Sequence, residues 1–180
     1  MVVALAGRRI DAPDADVPRF PSEAVGDVRD RLLDLLEAQG ATALVASGAC
    51  GADLVAHDVA GALGLRRRLV LPFSPDRFRV SSVTDRPDAA HDWGALFDRV
   101  VAETEASGDL VVLSAGEGDA AYAAASASIQ AEAARLAGPD APLAVVVWEG
   151  TPRGPSDLTA LFRDDAQARG WPVIEVPTTP

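Results

Sequence analysis

Short apolar segments rich in strand-forming residues alternate with helix-compatible segments along this chain of 180 residues. A strand, a helix and a second strand in succession build a βαβ unit, in which the two strands are parallel and the helix covers the sheet. Repetition of this unit predicts a three-layer α/β fold with a mainly parallel sheet and helices on both faces. The predicted strands are 2–6, 42–46, 69–72, 109–113, 143–147 and 173–176.

The length favours one domain over residues 1–180, because such a chain can bury roughly 70% of its unfolded surface without a metal or a disulfide. The apolar start, residues 1–6, is shorter than the apolar segment of a signal peptide, and no run reaches membrane-spanning length. The chain also has a single cysteine. We therefore expect a cytoplasmic protein without a membrane partner.

The net charge and the residue composition disfavour or exclude several classes of partner and of chemistry. The formal net charge is −11, which disfavours nucleic acid as the main partner because that binding depends on neutralising many phosphates. All 16 basic residues are arginine, so a P-loop lysine and a Schiff-base lysine are excluded. One cysteine and two histidines cannot build a Cys/His zinc cluster. The sequence predicts no cofactor and no metal site.

The turn at residues 47–53 follows a predicted strand and precedes a predicted helix. Such a turn aims free backbone N–H groups and the positive end of a helix dipole at one point, which suits a phosphate. In the alternative interpretation, the glycines only relieve steric conflict in a tight connection. The candidate ligand-binding residues here are Ser47, Gly48, Ala49, Gly51, Ala52 and Asp53.

The long loop 7–21 is expected beside that turn, because loops that follow parallel strands share the carboxyl edge of the sheet. Gly7 begins the loop, Arg9 and Arg19 are candidate phosphate clamps, and Asp11 is a candidate acceptor for ligand hydroxyl groups. The alternative is that these charges form solvated surface pairs.

Two later loops carry the remaining candidates. Tyr122 is available to stack on a base, or to fill the core. The loop after the fifth strand repeats the strand, glycine and helix order, and a capped turn is the alternative there. Its candidate residues are Trp148, Gly150, Gly154 and Ser156.

Two expectations concern the bounds of elements. The last helix is predicted to begin near Pro155, since proline is favourable in a first helical turn. The three arginines 66–68 are predicted to precede a strand and to form a solvated or interface patch at the opposite edge of the sheet.

These motifs together resemble the SLOG superfamily, a Rossmann-like group that contains the Smf/DprA DNA-processing proteins and the Lonely Guy (LOG) phosphoribohydrolases. Residues 7–13 match the pattern G-[HR]-R-x-D-x-P, residues 19–21 read R-F-P, and residues 48–53 match G-A-x-G-A-D. The resemblance covers nearly the whole chain. It is nearest to bacterial nucleotide-sensor-like members of the superfamily.

The resemblance implies a domain that binds a nucleotide or nucleotide-derived ligand, as a sensor beside a separate effector protein or as a binding module. It also implies a homodimer, in keeping with the alanine-rich segment 118–136. Hydrolysis of an N-glycosidic bond is the alternative, with Asp11, Asp53, Glu117 or Glu149 as the base, although residues 153–159 lack the second glycine and the glutamate of the LOG motif. Single-stranded DNA binding, a property of the Smf/DprA group, is disfavoured by the charge of −11.

Overall fold

The computed structural model describes residues 1–114 and 116–179, so that Ala115 and Pro180 of the predicted domain lie outside the described residues. Within that part, six strands alternate with six α-helices. The strands are β1 (Val2–Gly7), β2 (Ala43–Ala46), β3 (Arg66–Leu71), β4 (Leu110–Val112), β5 (Leu143–Trp148) and β6 (Val173–Pro177). The helices are α1 (Val25–Ala38), α2 (Ala52–Ala62), α3 (Pro75–Phe78), α4 (Trp93–Ala106), α5 (Gly118–Ala137) and α6 (Leu158–Ala168).

The six strands form one sheet in the order β4-β3-β2-β1-β5-β6, and every pair of neighbours is parallel. The predicted three-layer, Rossmann-like α/β fold is therefore confirmed, and the sheet is entirely rather than mainly parallel. The chain builds outward from β1 to β4 and then crosses to β5 on the other side of β1. This reversal of strand order opens a crevice beyond the carboxyl ends of β1 and β5.

Alternate side chains of each strand supply two apolar layers. Val3 and Leu5 face the cluster formed by α1, α2 and α4, in which Phe97 is buried. On the opposite face, Ala4 packs in a smaller cluster with α5 and α6, which contribute Ile129 and Phe162. No helix among the described residues is long and apolar enough to cross a membrane.

Two predicted bounds are wrong. Residues 66–68 do not precede β3 but form its first half, paired in register with Ala43, Leu44 and Val45 of β2. Arginine is tolerated in that strand because Asp109 accepts hydrogen bonds from Arg66 and Arg68. The arginines still lie at the amino end of the strand, as expected, but they are neutralised by ion pairs rather than simply solvated.

The last helix begins at Leu158 rather than near Pro155. Asp157 supplies the N-cap, because its carboxylate accepts a hydrogen bond from the N–H of Thr159 at 3.0 Å. A side-chain cap of this kind accepts a hydrogen bond from one of the unpaired N–H groups of the first turn. Proline at 155 cannot do this, because its side chain has no acceptor.

Candidate functional site

A cleft of about 370 Å³ lies at the reversal of strand order, and we call it the switch-point cleft. Its floor is the carboxyl end of β1, residues 5–7, and its walls come from the turn before α2, from α5 and from the first residues of α6. Open α/β sheets place ligands at this position, because the loops of several parallel strands converge there.

Arg9 enters the cleft directly after β1. Its Nη2 donates to Asp85 and lies 3.6 Å from the Sγ of Cys50. Its Nε is buried and has no hydrogen-bond partner in the described part of the chain. Burial works against the charge, but the neighbouring thiol and carboxylate raise the pKa of Arg9, so the guanidinium stays ionised.

Arg86 and Arg153 bring two further positive charges to the same cleft. Arg86 donates to the carbonyl oxygen of Ile10. Burial, and then repulsion from Arg9, lower the pKa of Arg86 below its usual value. Arg153 also repels Arg86, so that an anion bound beside Arg86 would reduce the repulsion in this cleft.

Three backbone N–H groups in the centre of the turn at 47–53 have acceptors inside the protein. Those of Cys50 and Ala52 donate to the carbonyl oxygens of Ser82 and Arg8, at 3.1 and 3.0 Å. That of Ala49 donates to the Asp53 carboxylate at 3.2 Å. These three N–H groups are thus not free for the phosphate that the sequence predicts at this turn, and the arginine side chains are the charged donors that face the cleft.

Gly51 makes this arrangement possible. Its φ of 109° lies in a region that side chains disfavour, and a Cβ there would stand 2.6 Å from the backbone nitrogen of Ile10. The close approach lets Arg9 and Gly51 form an isolated antiparallel bridge. The glycine of this turn therefore joins the first loop to α2, which is the steric role considered as the alternative.

Asp53, on the first turn of α2, lines the cleft and is 8% exposed. Burial raises the pKa of its carboxyl to about 7, against the opposing effects of the Ala49 N–H and of Arg9. A carboxyl group that holds its proton near neutrality in a cleft can donate or accept a proton, which marks it as a functional candidate.

Two other polar groups of this region are structural. His57 is fully buried, its Nε2 donates to the carbonyl oxygen of Ser47 at 3.0 Å, and burial lowers its pKa to about 4, so the ring is neutral. Cys50 is also buried, and burial raises the pKa of its thiol. A buried thiol with a raised pKa is a poor nucleophile, so Cys50 contributes to packing rather than to chemistry.

Arg8 ties the loops after β1 and β5 together beneath the cleft. It is 3% exposed and donates to Glu149 at 2.6 and 3.1 Å, to Asp157 at 2.7 Å and to the carbonyl oxygen of Thr151 at 2.8 Å. Burial opposes ionisation of Asp157, but the bonds from Arg8 and from the Arg153 N–H lower its pKa well below the usual range. This network fixes the loop that carries Arg153.

The first loop is ordered by Asp11 rather than opened toward the cleft. The Asp11 carboxylate accepts the backbone N–H groups of Arg19 and Phe20 at 2.8 and 2.9 Å. Arg19 donates to Glu149 and to the carbonyl oxygen of Thr151, 3.3 Å away. Asp11 and Arg19 thus both have partners within the protein. This is closer to the alternative of surface ion pairs than to a ligand-binding role.

Tyr122 of α5 faces the cleft, where its hydroxyl lies 2.9 Å from the Oγ of Ser82 and its ring meets Phe73 edge to face at 5.8 Å. Ser47, Ser126 and Thr159 also line the cleft. The site therefore combines guanidinium groups with several hydroxyls and one aromatic ring.

The structure brings together six of the predicted residues and leaves the others outside the lining of the cleft. Those that line it are Gly7, Arg9, Ser47, Ala49, Asp53 and Tyr122. Trp148 is buried under α5 and α6, and its Nε1 donates to Glu175 at 2.8 Å. The rest that do not line it are Asp11, Arg19, Gly48, Gly51, Ala52, Gly150, Gly154 and Ser156.

Arg86 is the main residue that sequence reasoning missed. It lies between a π-helical turn, Arg79–Val83, and α4, in a stretch without periodicity. Its position in the loop after β3 could have indicated a role in the site, because all loops that follow parallel strands lie at the same edge of the sheet.

Among the described residues, no group of three or more His, Cys, Asp or Glu side chains could hold a metal ion. Comparison of the chain with protein-family models and with curated proteins finds no match.

Proposed function

We propose that this chain is a binding module or sensor for a nucleotide or nucleotide-derived ligand, which enters the switch-point cleft with its phosphate toward Arg9, Arg86 and Arg153. The observation that carries the proposal is the convergence of these three guanidinium groups on one cavity of about 370 Å³. Arginine is the residue best suited to bind phosphate through paired hydrogen bonds.

The rest of the cleft suits the non-phosphate part of such a ligand. Serine hydroxyls and Asp53 can accept or donate hydrogen bonds to a sugar, and Tyr122 presents an aromatic ring for contact with a base. The motif resemblance to the SLOG superfamily supports the same ligand class. A homodimer, a cytoplasmic location and a separate effector protein are part of this proposal.

Isothermal titration calorimetry of the wild-type protein with AMP, ADP-ribose, NAD and cyclic dinucleotides tests the proposal. Binding of at least one member of this panel is expected, since all carry phosphate and a base. Absence of a binding heat for every ligand of this panel would overturn the proposal.

Hydrolysis of a nucleotide N-glycosidic bond is a second candidate, and one observation favours it. Of the four carboxylates that the sequence offers as a base, Asp53 alone lines the cleft. Glu149 is held by Arg8 and Arg19, Asp11 by backbone N–H groups, and the exposed Glu117 pairs with Arg77.

Chromatography after incubation with nucleoside monophosphates decides between a binding module and a hydrolase. Release of free base and ribose phosphate by the wild type, and its loss in Asp53→Asn, would establish hydrolysis. A preparation that binds the nucleotide and releases no base would support the binding module alone.

A further inference from the structure

The Asp53 carboxylate has few hydrogen-bond donors for a buried charge. Its Oδ2 accepts the Ala49 N–H at 3.2 Å, and within residues 1–114 and 116–179 no other donor contacts the side chain. A buried carboxylate normally needs several donors to remain ionised. The small exposed fraction of Asp53 opens into the switch-point cleft, where a ligand would meet it.

The charges around Asp53 come from three loop segments and from α5. The loops after β1 and β5 and the segment after the π-helical turn supply arginines and their carboxylate partners, and α5 supplies one rim carboxylate and a phenol. The groups that face the cleft or pair with those that do are Arg8, Arg9, Arg86, Arg153, Asp85, Asp119, Glu149, Asp157 and Tyr122.

Among these groups, four arginines stand against four carboxylates and Asp53. An ionised Asp53 therefore gives the set a net charge of −1, and protonation of Asp53 brings it to electrical neutrality, which favours entry of an anion. The neighbours of Asp53 within its own turn and helix do not compete for the proton near neutrality, because burial raises the pKa of the Cys50 thiol and lowers that of His57 to about 4.

We propose that the switch-point cleft binds its phosphorylated ligand together with one proton, which is taken up by Asp53. This inference depends on the proposed function, since it requires that an anion enters the cleft. An unprotonated Asp53 repels the phosphate and offsets the positive charge of Arg9. Protonation removes that repulsion and turns the carboxyl into a hydrogen-bond donor toward the ligand.

The raised pKa of Asp53 agrees with its burial and its single hydrogen-bond donor. Because burial raises the pKa of Asp53 to about 7, the free protein carries the proton below neutrality and must acquire it above. The affinity for the ligand is then expected to fall as the pH rises, by roughly twenty-fold between about pH 6.5 and about pH 8.5.

Calorimetry with AMP and with ADP-ribose at pH 8 measures the proton directly, when each titration is repeated in two phosphate-free buffers of different ionisation enthalpy. The wild type is expected to take up close to one proton per ligand, and Asp53→Asn close to none, with an affinity that changes little with pH. His91→Gln is the matched control, because it removes a histidine outside the cleft lining, and its uptake should equal that of the wild type.

The outcomes separate the two proposals. Binding without proton uptake, or uptake that persists in Asp53→Asn, would overturn the coupling and leave the nucleotide site intact. Absence of binding to both ligands would overturn the proposed function itself.

A second measurement needs no ligand. The side-chain carboxyl ¹³C signal of Asp53, assigned by its loss in Asp53→Asn, is expected to titrate near pH 7 in the free protein. A midpoint in the ordinary aspartate range would overturn the coupling, whether or not a nucleotide binds.

Discussion

At the scale of single residues, the buried carboxyl of Asp53 should govern how stability depends on pH. Its folded-state pKa is raised from 3.8 to about 7, so the native state holds a proton that the unfolded chain releases. Stability from this group is therefore greatest at acid pH and is lost as the pH rises from about 4 to 7.

Asp53→Asn keeps the shape and the acceptor oxygen but removes the charge. The variant should be more stable than the wild type at pH 8, by up to about 4 kcal/mol, since each pKa unit corresponds to about 1.4 kcal/mol. The difference should shrink as the pH falls and vanish near pH 4. Urea unfolding at pH 4, 6 and 8 checks this, and a constant difference across that range would contradict it.

Arg8 should contribute more to stability than any exposed arginine. Arg8→Ala removes the buried guanidinium that pairs with Asp157 and leaves Glu149 with Arg19 alone, and loss of one partner of a buried ion pair costs about 3 to 5 kcal/mol. Arg99→Ala is the control, because its exposed pair with Asp58 is worth about 1 kcal/mol or less. Thermal unfolding at pH 7 compares them, and equal losses of stability would refute the role of Arg8.

At the scale of elements, the junction of the first loop with α2 depends on Gly51. Gly51→Ala should destabilise the protein by more than about 2 kcal/mol, because alanine meets both a disfavoured φ of 109° and the backbone of Arg8 and Ile10. Gly26→Ala in α1 meets no atom within 4 Å and should stabilise by roughly 0.5 to 1 kcal/mol. Denaturant midpoints of the two variants should move in opposite directions.

The order of elements was predictable from the sequence, but the partners of individual side chains were not. The strands follow from local apolar runs, and the shared sheet edge follows from parallel topology. By contrast, the pairing of Arg19 with Glu149, across most of the chain, has no local signal. The predicted bounds of β3 were wrong for a related reason. Asp109 neutralises arginines that the local sequence pattern assigns to a loop.

At the scale of the whole molecule, a homodimer is predicted to form through α5. Small residues occupy the exposed face of this helix, including Ala123, Ala124, Ala127 and Ala131, and permit close approach of a second copy. Light scattering at micromolar concentration should give twice the chain mass of 18.6 kDa. A mass of one chain would indicate that alanine serves helix propensity alone.

The most direct test of the central claim is calorimetric titration of AMP into the wild type and into Arg86→Ala. Arg86 lines the switch-point cleft and lies close enough to Arg9 for repulsion to lower its pKa. Its loss should weaken AMP binding by about 10- to 100-fold, the range expected for a hydrogen bond to a charged group. Arg135→Ala, which removes an exposed arginine of α5 paired with Glu132, should leave the affinity unchanged. Wild-type binding that Arg86→Ala does not weaken, or no wild-type binding, would contradict a phosphate site in this cleft.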